Sequence, residues 1–327
     1  MISEEDKIMM ETLYWWGIPT LFRCKNDPDP KNCDIALVGV PHSTGNGTTE
    51  RDQHLGPRAV RNISAMLRRS HFDYKIDPWK MKKIHDLGDV PFPEANNNEK
   101  CIERISDFYD QIEKAEKPVV SIGGDHSITG GIVQSLAKKN SKLTKGKKIS
   151  FLHFDAHTDC FEKLDHFLGA KKSAAHWASY LVKQGNVDPH TSTQIGIRGN
   201  PRTLDWLQGS YDNGYQVITM DEYREWGYEK CVKKILDRIG DNPIYVTFDL
   251  DCLDPTVAPG VANIESAYRG FNIDEARKLI QCLKGKNVIG GDVACLMPTK
   301  DNPNQITSMV AAAIMFEIIC LICVKPE

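Results

Sequence analysis

The chain has 327 residues, of which 41% are hydrophobic and 26% are charged, and its formal net charge is −3. This balance is that of a folded globular protein and not of a disordered or fibrous chain. Because no block of basic residues stands out, we expect neither a nucleic-acid partner nor a membrane-surface partner. No linker or break in composition divides the sequence, so we expect an N-terminal arm over residues 1–33 and one main domain over residues 34–327.

Short apolar runs alternate along the chain with segments of helical periodicity. Strands are predicted at residues 34–40, 83–87, 119–123, 149–154, 194–197, 216–218, 244–248 and 288–293. Helices are predicted at residues 56–69, 99–114, 127–139, 174–183, 229–239, 273–283 and 306–324. This alternation predicts an α/β fold with a mainly parallel central sheet and helices on both faces.

Two features of the sequence indicate the cellular location. The apolar stretch 306–324 is long enough to span a membrane, but it contains Glu317 and stands alone in a charged chain, so we predict a buried helix. The ten cysteines have no disulfide-framework spacing, and the N-terminus MISEEDK does not resemble a secretory signal. We therefore expect a cytoplasmic protein with reduced thiols and no membrane partner.

Three short runs of carboxylates and histidines each follow a predicted strand: GGDHS at 123–127, DAHTD at 155–159 and DLD at 249–251. Spacing of two residues in extended chain directs side chains to one face. The carboxyl ends of parallel strands share one edge of a sheet, where ligands bind. Four converging carboxylates carry a charge of −4, which is costly to bury unless cations neutralise it. Two divalent ions carry +4, so the sequence predicts a binuclear metal site.

The segments SIGGDHS (121–127), HFDAHTD (153–159) and FDLDCLDPTVAPG (248–260) resemble those of the ureohydrolase superfamily. That superfamily includes arginases, agmatinases and related guanidino hydrolases. The resemblance extends from about residue 34 to the C-terminus and includes the long segment 39–61. It implies a three-layer α/β/α fold, self-association to a trimer or hexamer, and a small cationic guanidino substrate.

The resemblance also implies roles for individual residues. His126 and Asp159 would complete the coordination shell of one metal ion, and His157 and Asp251 that of the other. Asp155 and Asp249 would bridge both ions. A hydroxide between the ions would be the nucleophile, because metal binding brings the pKa of water from ~15.7 towards ~7. His176 would move a proton to the leaving nitrogen; the alternative is a packed histidine on the predicted helix 174–183.

Two positions depart from the pattern of arginases and agmatinases. Cys295, in the segment DVACLMP, occupies the place of a glutamate that pairs with the substrate guanidinium in those enzymes. Asn263 replaces a threonine that helps to seat the same group. A neutral thiol cannot form a bidentate carboxylate clamp, so we expect a different way of holding the guanidinium or a different substrate.

Other residues offer compensation for the missing glutamate. Thr48 lies in the long loop after the first predicted strand, and Trp177 is predicted to hold a planar cation by a cation–π contact. Glu265 or Glu50 would supply the negative charge. The alternatives are a core tryptophan and solvated loop charges.

The segment WGIPTLFR (16–23), the loop 43–61 and the pair His176-Trp177 resemble a narrower branch, the guanidine hydrolases. The branch implies hydrolysis of free guanidine to urea and ammonia with two nickel ions, whereas the wider superfamily uses manganese. A tailed substrate such as agmatine, guanidinobutyrate or guanidinopropionate is the nearest alternative. A metal-binding relative without catalysis is a further one.

Overall fold

A computed structural model describes residue 3 and residues 15–47, 50–164, 169–201, 203–265 and 269–324. The described chain contains a sheet of nine strands in the order β1-β3-β2-β4-β9-β8-β5-β6-β7, and every registered strand pair is parallel. The strands are β1 (Lys25–Asn26), β2 (Ile35–Val40), β3 (Ile84–Asp89), β4 (Val119–Gly123), β5 (Ser150–Phe154), β6 (Thr193–Ile197), β7 (Gln216–Thr219), β8 (Ile244–Asp249) and β9 (Val288–Ala294).

The α-helices of the described residues follow the strands along the chain. They are α1 (Gly56–Ser64), α2 (Pro78–Met81), α3 (Asn98–Lys114), α4 (Ile128–Leu136), α5 (Trp177–Lys183), α6 (Gln208–Asn213), α7 (Met220–Ile239), α8 (Ile273–Gln281) and α9 (Ile306–Cys323).

The strands are buried on both faces, and alternate residues enter two separate cores. Val120 and Ile122 of β4 pack on one face, which α1, α7, α8 and α9 cover. Val119 of β4 and Phe151 of β5 pack on the other face, which α3, α4 and α5 cover. The predicted α/β class and the three-layer α/β/α arrangement are therefore confirmed.

Helix α9 is apolar and long enough to cross a membrane, and 83% of its 18 residues are buried within the described part of the protein. Its one charged residue, Glu317, accepts hydrogen bonds from His71 Nε2 (2.9 Å), Arg277 Nε (2.6 Å) and Gln281 Nε2 (3.1 Å). These partners satisfy a buried carboxylate that would otherwise be costly. The prediction of a buried helix is confirmed.

Some elements differ from the predictions. The range of α7 contains two helical parts that meet at a kink at Gly227 (φ 77°). The second part agrees with the predicted helix 229–239, whereas the first, which begins at Met220 after a capping box of Thr219 and Glu222, was not predicted. The short helices α2 and α6 were not predicted. Within the predicted arm, strand β1 pairs with β3 and Leu21 is fully buried, so this part of the arm packs onto the main domain.

Candidate metal centre

The three ligand runs lie at the carboxyl edge of neighbouring strands. Strand β4 leads to His126, β5 leads to residues 155–159, and β8 leads to Asp249 and Asp251. In the sheet, β4 and β8 lie on either side of β9, and β5 lies next to β8. The topology therefore brings the six predicted ligands, His126, Asp155, His157, Asp159, Asp249 and Asp251, to one place.

One half of the centre forms around His126. Its Nδ1 atom lies 2.9 Å from Asp155 Oδ2, 3.0 Å from Asp159 Oδ2 and 3.2 Å from Asp249 Oδ2. Despite these distances, Nδ1 is a buried atom without a well-directed hydrogen bond. The other ring nitrogen, Nε2, lies 2.8 Å from Thr247 Oγ1. An unpaired imidazole nitrogen facing three carboxylate oxygens is the arrangement of a metal-ligand set.

The second half forms around His157. Its Nδ1 atom lies 3.3 Å from Asp155 Oδ1 and 3.2 Å from Asp251 Oδ2, while Nε2 lies 2.9 Å from Glu265 Oε1. The carboxylate at Nε2 fixes the ring proton there and leaves the Nδ1 lone pair towards the centre. Asp155 thus presents one oxygen to each histidine, an arrangement that would suit a residue shared by two ions.

The charges of the cluster favour bound cations. Burial, followed by the charge of Asp249, raises the pKa of Asp251 to about 7. Burial and the charge of Asp155 likewise raise the pKa of Asp249 and of Asp159. Burial alone lowers the pKa of His126, but its carboxylate partners raise it well above the ordinary value. Crowded carboxylates that retain protons are sites where a metal ion supplies the missing positive charge.

Candidate ligand atoms cluster in two groups that share Asp155. One group contains His126, His153, Asp155 and Asp159, the other contains Asp155, His157 and Asp251, and within each group the atoms lie within 4.8 Å of one another. Oxygen and imidazole donors of this kind suit first-row divalent ions. The residues present therefore fit two such ions.

His153 is a member of this cluster that the sequence did not reveal. Its Nδ1 atom accepts a hydrogen bond from Gln194 Nε2 (3.1 Å), so Nε2 donates to Asp155 Oδ2 (2.9 Å). His153 precedes Asp155 by two residues on strand β5 and shares its face. That period of two was the signal that could have identified it.

A second contact that the sequence did not reveal orients His126. Thr247 Oγ1 donates to Asp292 Oδ1 (2.7 Å) and lies 2.8 Å from His126 Nε2, which assigns the ring proton to Nε2. Asp292 also accepts from Tyr245 Oη (2.8 Å) and Thr129 Oγ1 (2.9 Å). These buried groups hold the imidazole with Nδ1 directed to the centre.

The sequence model described as the Arginase family matches residues 33–321. The chain belongs to the arginase family. It is 33% identical over 308 residues to guanidinopropionase from Pseudomonas aeruginosa, covering 94% of this chain and 92% of that protein. It is 33% identical over 307 residues to the mitochondrial guanidino acid hydrolase of Homo sapiens, covering 93% of this chain and 82% of that protein.

Solved structures agree with this assignment. Proclavaminate amidino hydrolase from Streptomyces clavuligerus has a TM-score of 0.84 and 26% identity, covering 95% of this chain and 99% of that chain. A hypothetical agmatinase from Burkholderia thailandensis has a TM-score of 0.82 and 29% identity, covering 94% of this chain and 92% of that chain. The protein is therefore an arginase-family hydrolase that acts on guanidino C–N bonds, and such enzymes depend on a binuclear metal centre.

Within this arginase-family site, two of the predicted substrate contacts, Trp177 and Glu265, form hydrogen bonds with predicted metal ligands. Trp177 is fully buried, and its indole packs on His126 and His153 with ring centroids 4.9 and 4.8 Å away. Its Nε1–H donates to Asp159 Oδ2 (2.8 Å). The ring and the N–H of Trp177 both contact predicted metal ligands, which agrees with the alternative of a core tryptophan, and the cation–π contact to the substrate stays a prediction.

The carboxylates proposed to replace the missing glutamate also have partners. Glu265 contacts His157 Nε2, and this hydrogen bond lowers the pKa of Glu265. Glu50 pairs with Lys300 and is 62% exposed in its side chain. The charge of Glu265 therefore orients a predicted metal ligand, and that of Glu50 lies at the surface.

Cys295 lies at the carboxyl end of β9, between the ligand-bearing strands β4 and β8. It is 6% exposed, has a left-handed backbone with φ 69°, and donates its N–H to Gly124 O (2.8 Å). Burial, followed by the neighbouring charges of Asp249 and Asp251, raises its thiol pKa well above the ordinary value. The thiol of Cys295 is therefore neutral.

The remaining predicted residues surround the same edge. Asn263 is exposed on the loop that a bridge between Val261 and Leu296 ties to the end of β9. His176 is 5% exposed at the N-terminus of α5, and its Nδ1 lies 2.6 Å from Ser173 Oγ. Thr48 lies outside the described residues.

Proposed function

We propose that this protein hydrolyses free guanidine to urea and ammonia at a binuclear metal centre. The observation that supports this most directly is that the nearby charged side chains already form hydrogen bonds within the protein. Glu265 binds His157, and Arg198 binds the backbone behind Asp251, so neither is available to hold the tail of a larger substrate.

The guanidinium group of Arg198 is occupied by hydrogen bonds to the backbone. It is 7% exposed and donates from Nη1 to Cys252 O (3.0 Å) and from Nη2 to Asp251 O (2.7 Å) and Leu253 O (3.0 Å). A guanidino acid needs a cation for its carboxylate, and agmatine needs an anion for its ammonium group. With Arg198 and Glu265 occupied and a neutral thiol at Cys295, a tailless guanidinium is the best match.

The residues divide the chemistry among themselves. Bound divalent ions would supply activation of water near neutral pH and neutralise the ligand carboxylates. Asp155 and Asp249 lie buried among the candidate ligand atoms and would help to hold both ions. His176 transfers a proton to the departing nitrogen, a role that suits an imidazole at neutral pH.

Several further features belong to the same proposal. We propose nickel as the resident metal, on the resemblance to guanidine hydrolases, with manganese as the alternative; the nitrogen and oxygen donors accept either ion. We also propose a trimer or hexamer in solution and a cytoplasmic location. The ten cysteines are all free and nine are buried, as suits a reducing compartment.

A substrate panel tests the proposal. Urea release is measured with guanidine, methylguanidine, agmatine, 4-guanidinobutyrate and 3-guanidinopropionate, after loading with nickel or manganese. We expect the highest kcat/KM for guanidine with nickel. A clear preference for agmatine or for a guanidino acid would contradict the proposal.

A guanidino acid is the second candidate substrate. The 33% identity to guanidinopropionase over 94% of the chain favours it. In that case kcat/KM would increase from guanidine to the carboxylate-bearing compounds in the same panel. No turnover with any compound, despite two bound ions, would instead indicate a relative without catalysis.

A further inference from the structure

Trp177 occupies an unusual position for a large aromatic residue next to a charged cluster. It is fully buried at the start of α5, 18 residues along the chain from Asp159, to which it donates its indole N–H over 2.8 Å. The acceptor, Asp159 Oδ2, is the same oxygen that lies 3.0 Å from His126 Nδ1. The hydrogen bond therefore acts on the very atom that faces the metal centre.

The backbone of Asp159 is also held in place. Its φ is +47°, a left-handed conformation that is uncommon for residues other than glycine, although aspartate adopts it more often than most. The first turn of α5 holds it at two points, since Ala178 N–H donates to Asp159 O (3.2 Å) while Trp177 holds the side chain. Together these contacts fix both the backbone and the carboxylate of Asp159.

The surroundings of Trp177 leave its ring little freedom. The indole packs on His126, His153 and, edge-on at 5.4 Å, on Phe151. The backbone of Gly130 lies close to the base of the side chain, where an added Cβ atom would lie 3.1 Å from Trp177 Cβ. A ring held this tightly directs its N–H to one acceptor.

We propose that Trp177 is a positioning residue for the metal ion on the His126 side, holding Asp159 with Oδ2 directed at that ion. The inference depends on the binuclear centre of the proposed function but not on the identity of the substrate. Donors that hold a ligating carboxylate typically contribute 10- to 100-fold in metal affinity. Because Trp177 follows His176 directly in the chain, the same helix start fixes a metal ligand and the proposed proton donor.

The test measures metal affinity for two variants that lack the indole N–H. In Trp177→Phe the ring is smaller, whereas incorporation of β-(3-benzothienyl)alanine at position 177 retains the shape of tryptophan and replaces only the N–H by sulfur. Each purified protein is titrated with nickel against a competing chelator dye, and bound ions are counted by mass spectrometry. We expect one of the two ions to bind roughly 10- to 100-fold more weakly and the other to bind as in the wild type.

Trp79→Phe is the matched control. Trp79 also donates its indole N–H, to Cys24 Sγ (3.1 Å), but it packs on the opposite face of the sheet with Phe22 and Phe316. We expect it to bind both ions with wild-type affinity. A merely structural role for Trp177 would lower the thermal stability of both position-177 variants without weakening the binding of either ion.

The outcomes separate this inference from the proposed function. If the benzothienyl variant binds two ions with unchanged affinity, the role of Trp177 is refuted, whatever the wild type hydrolyses. If the wild type binds two ions and the variant loses one, the inference stands even when guanidine is not the substrate. The shape-preserving variant keeps the test decisive if Trp177→Phe fails to fold.

Discussion

At the scale of single residues, His176 is the side chain whose proposed role is chemical and not structural. Ser173 Oγ accepts a hydrogen bond from Ala175 N–H (3.2 Å) and lies 2.6 Å from His176 Nδ1. The serine hydroxyl can therefore donate to Nδ1, which assigns the ring proton to Nε2. This contact orients the ring, and the proposed transfer to the leaving nitrogen requires the protonated form of His176, because the N–H of a neutral imidazole is too weak an acid.

His176→Asn is expected to retain both metal ions and to lower kcat by about 10²- to 10⁴-fold, because general acid catalysis contributes in that range. Steady-state urea release and ion counting on the same sample measure both properties. His190→Asn, which changes an exposed histidine on a surface turn, is the control and should be active. Wild-type turnover in His176→Asn with two ions bound would exclude the role.

At the scale of elements, α9 shows how one polar residue fits into an apolar helix. Glu317 is 1% exposed in its side chain and joins α9 to His71 and to Arg277 of α8. Burial by itself raises the pKa of Glu317, but its hydrogen bonds to His71, Arg277 and Gln281 lower it below the ordinary value. The carboxylate therefore stays charged and ties two helices to the loop before α2.

Glu317→Ala removes the common partner of these groups and leaves His71 and Arg277 facing an apolar helix. We expect the free energy of unfolding to decrease by about 3 kcal/mol or more, the range for breaking a buried ion pair. Lys233→Ala breaks an exposed pair with Asp237 on α7 and should cost less than about 0.5 kcal/mol. Urea denaturation compares the two, and equal small effects would contradict the structural role of Glu317.

Local patterns predicted the strands and the position of the candidate ligands at strand ends, because both depend on residues adjacent in sequence. Period-two spacing placed Asp155, His157 and Asp159 at the end of a strand before any contact was known. Contacts between distant segments were not predictable in this way. Trp177 reaches Asp159 across 18 residues, and Glu265 reaches His157 across 108. Both depend on how a helix and a loop pack on the finished sheet.

The boundaries of helices were less predictable than their existence. Only the second part of α7 was predicted, from residue 229 onwards, because the backbone breaks at Gly227 (φ 77°) between the two parts. The capping box at Thr219 was the available sign of an earlier start. The four-residue helix α2 depends on a cap, in which Asp77 accepts from Trp79 N–H (3.1 Å), and carries too few residues for a periodic pattern.

At the scale of the whole molecule, the metal centre links protein stability to pH. Without metal ions, burial and neighbouring carboxylates raise the pKa of Asp251 from 3.8 to about 7, and the pKa values of Asp249, His126 and His157 are raised as well. The folded chain then binds more protons than the unfolded chain in this range. The stability from these groups is present at low pH and is lost as the pH rises through about 7.

We therefore expect the melting temperature of chelator-treated protein to decrease between about pH 5 and about pH 8. Loading with metal ions should remove this decrease, because the ions replace the protons. Thermal melts with chelator and with added nickel measure both slopes, and Asp251→Asn should flatten the slope of the metal-free protein. A metal-free melting temperature that rises across this window would contradict the electrostatic description.

One measurement tests both the proposed binuclear centre and the proposed substrate: urea release from guanidine as a function of the nickel bound per chain. Protein freed of metal by chelation is titrated with nickel, and bound ions and initial rates are determined at each step. We predict no urea release without metal and full activity only when two ions are bound per chain. Urea release from metal-free protein, or no release with two ions bound, would contradict the assignment.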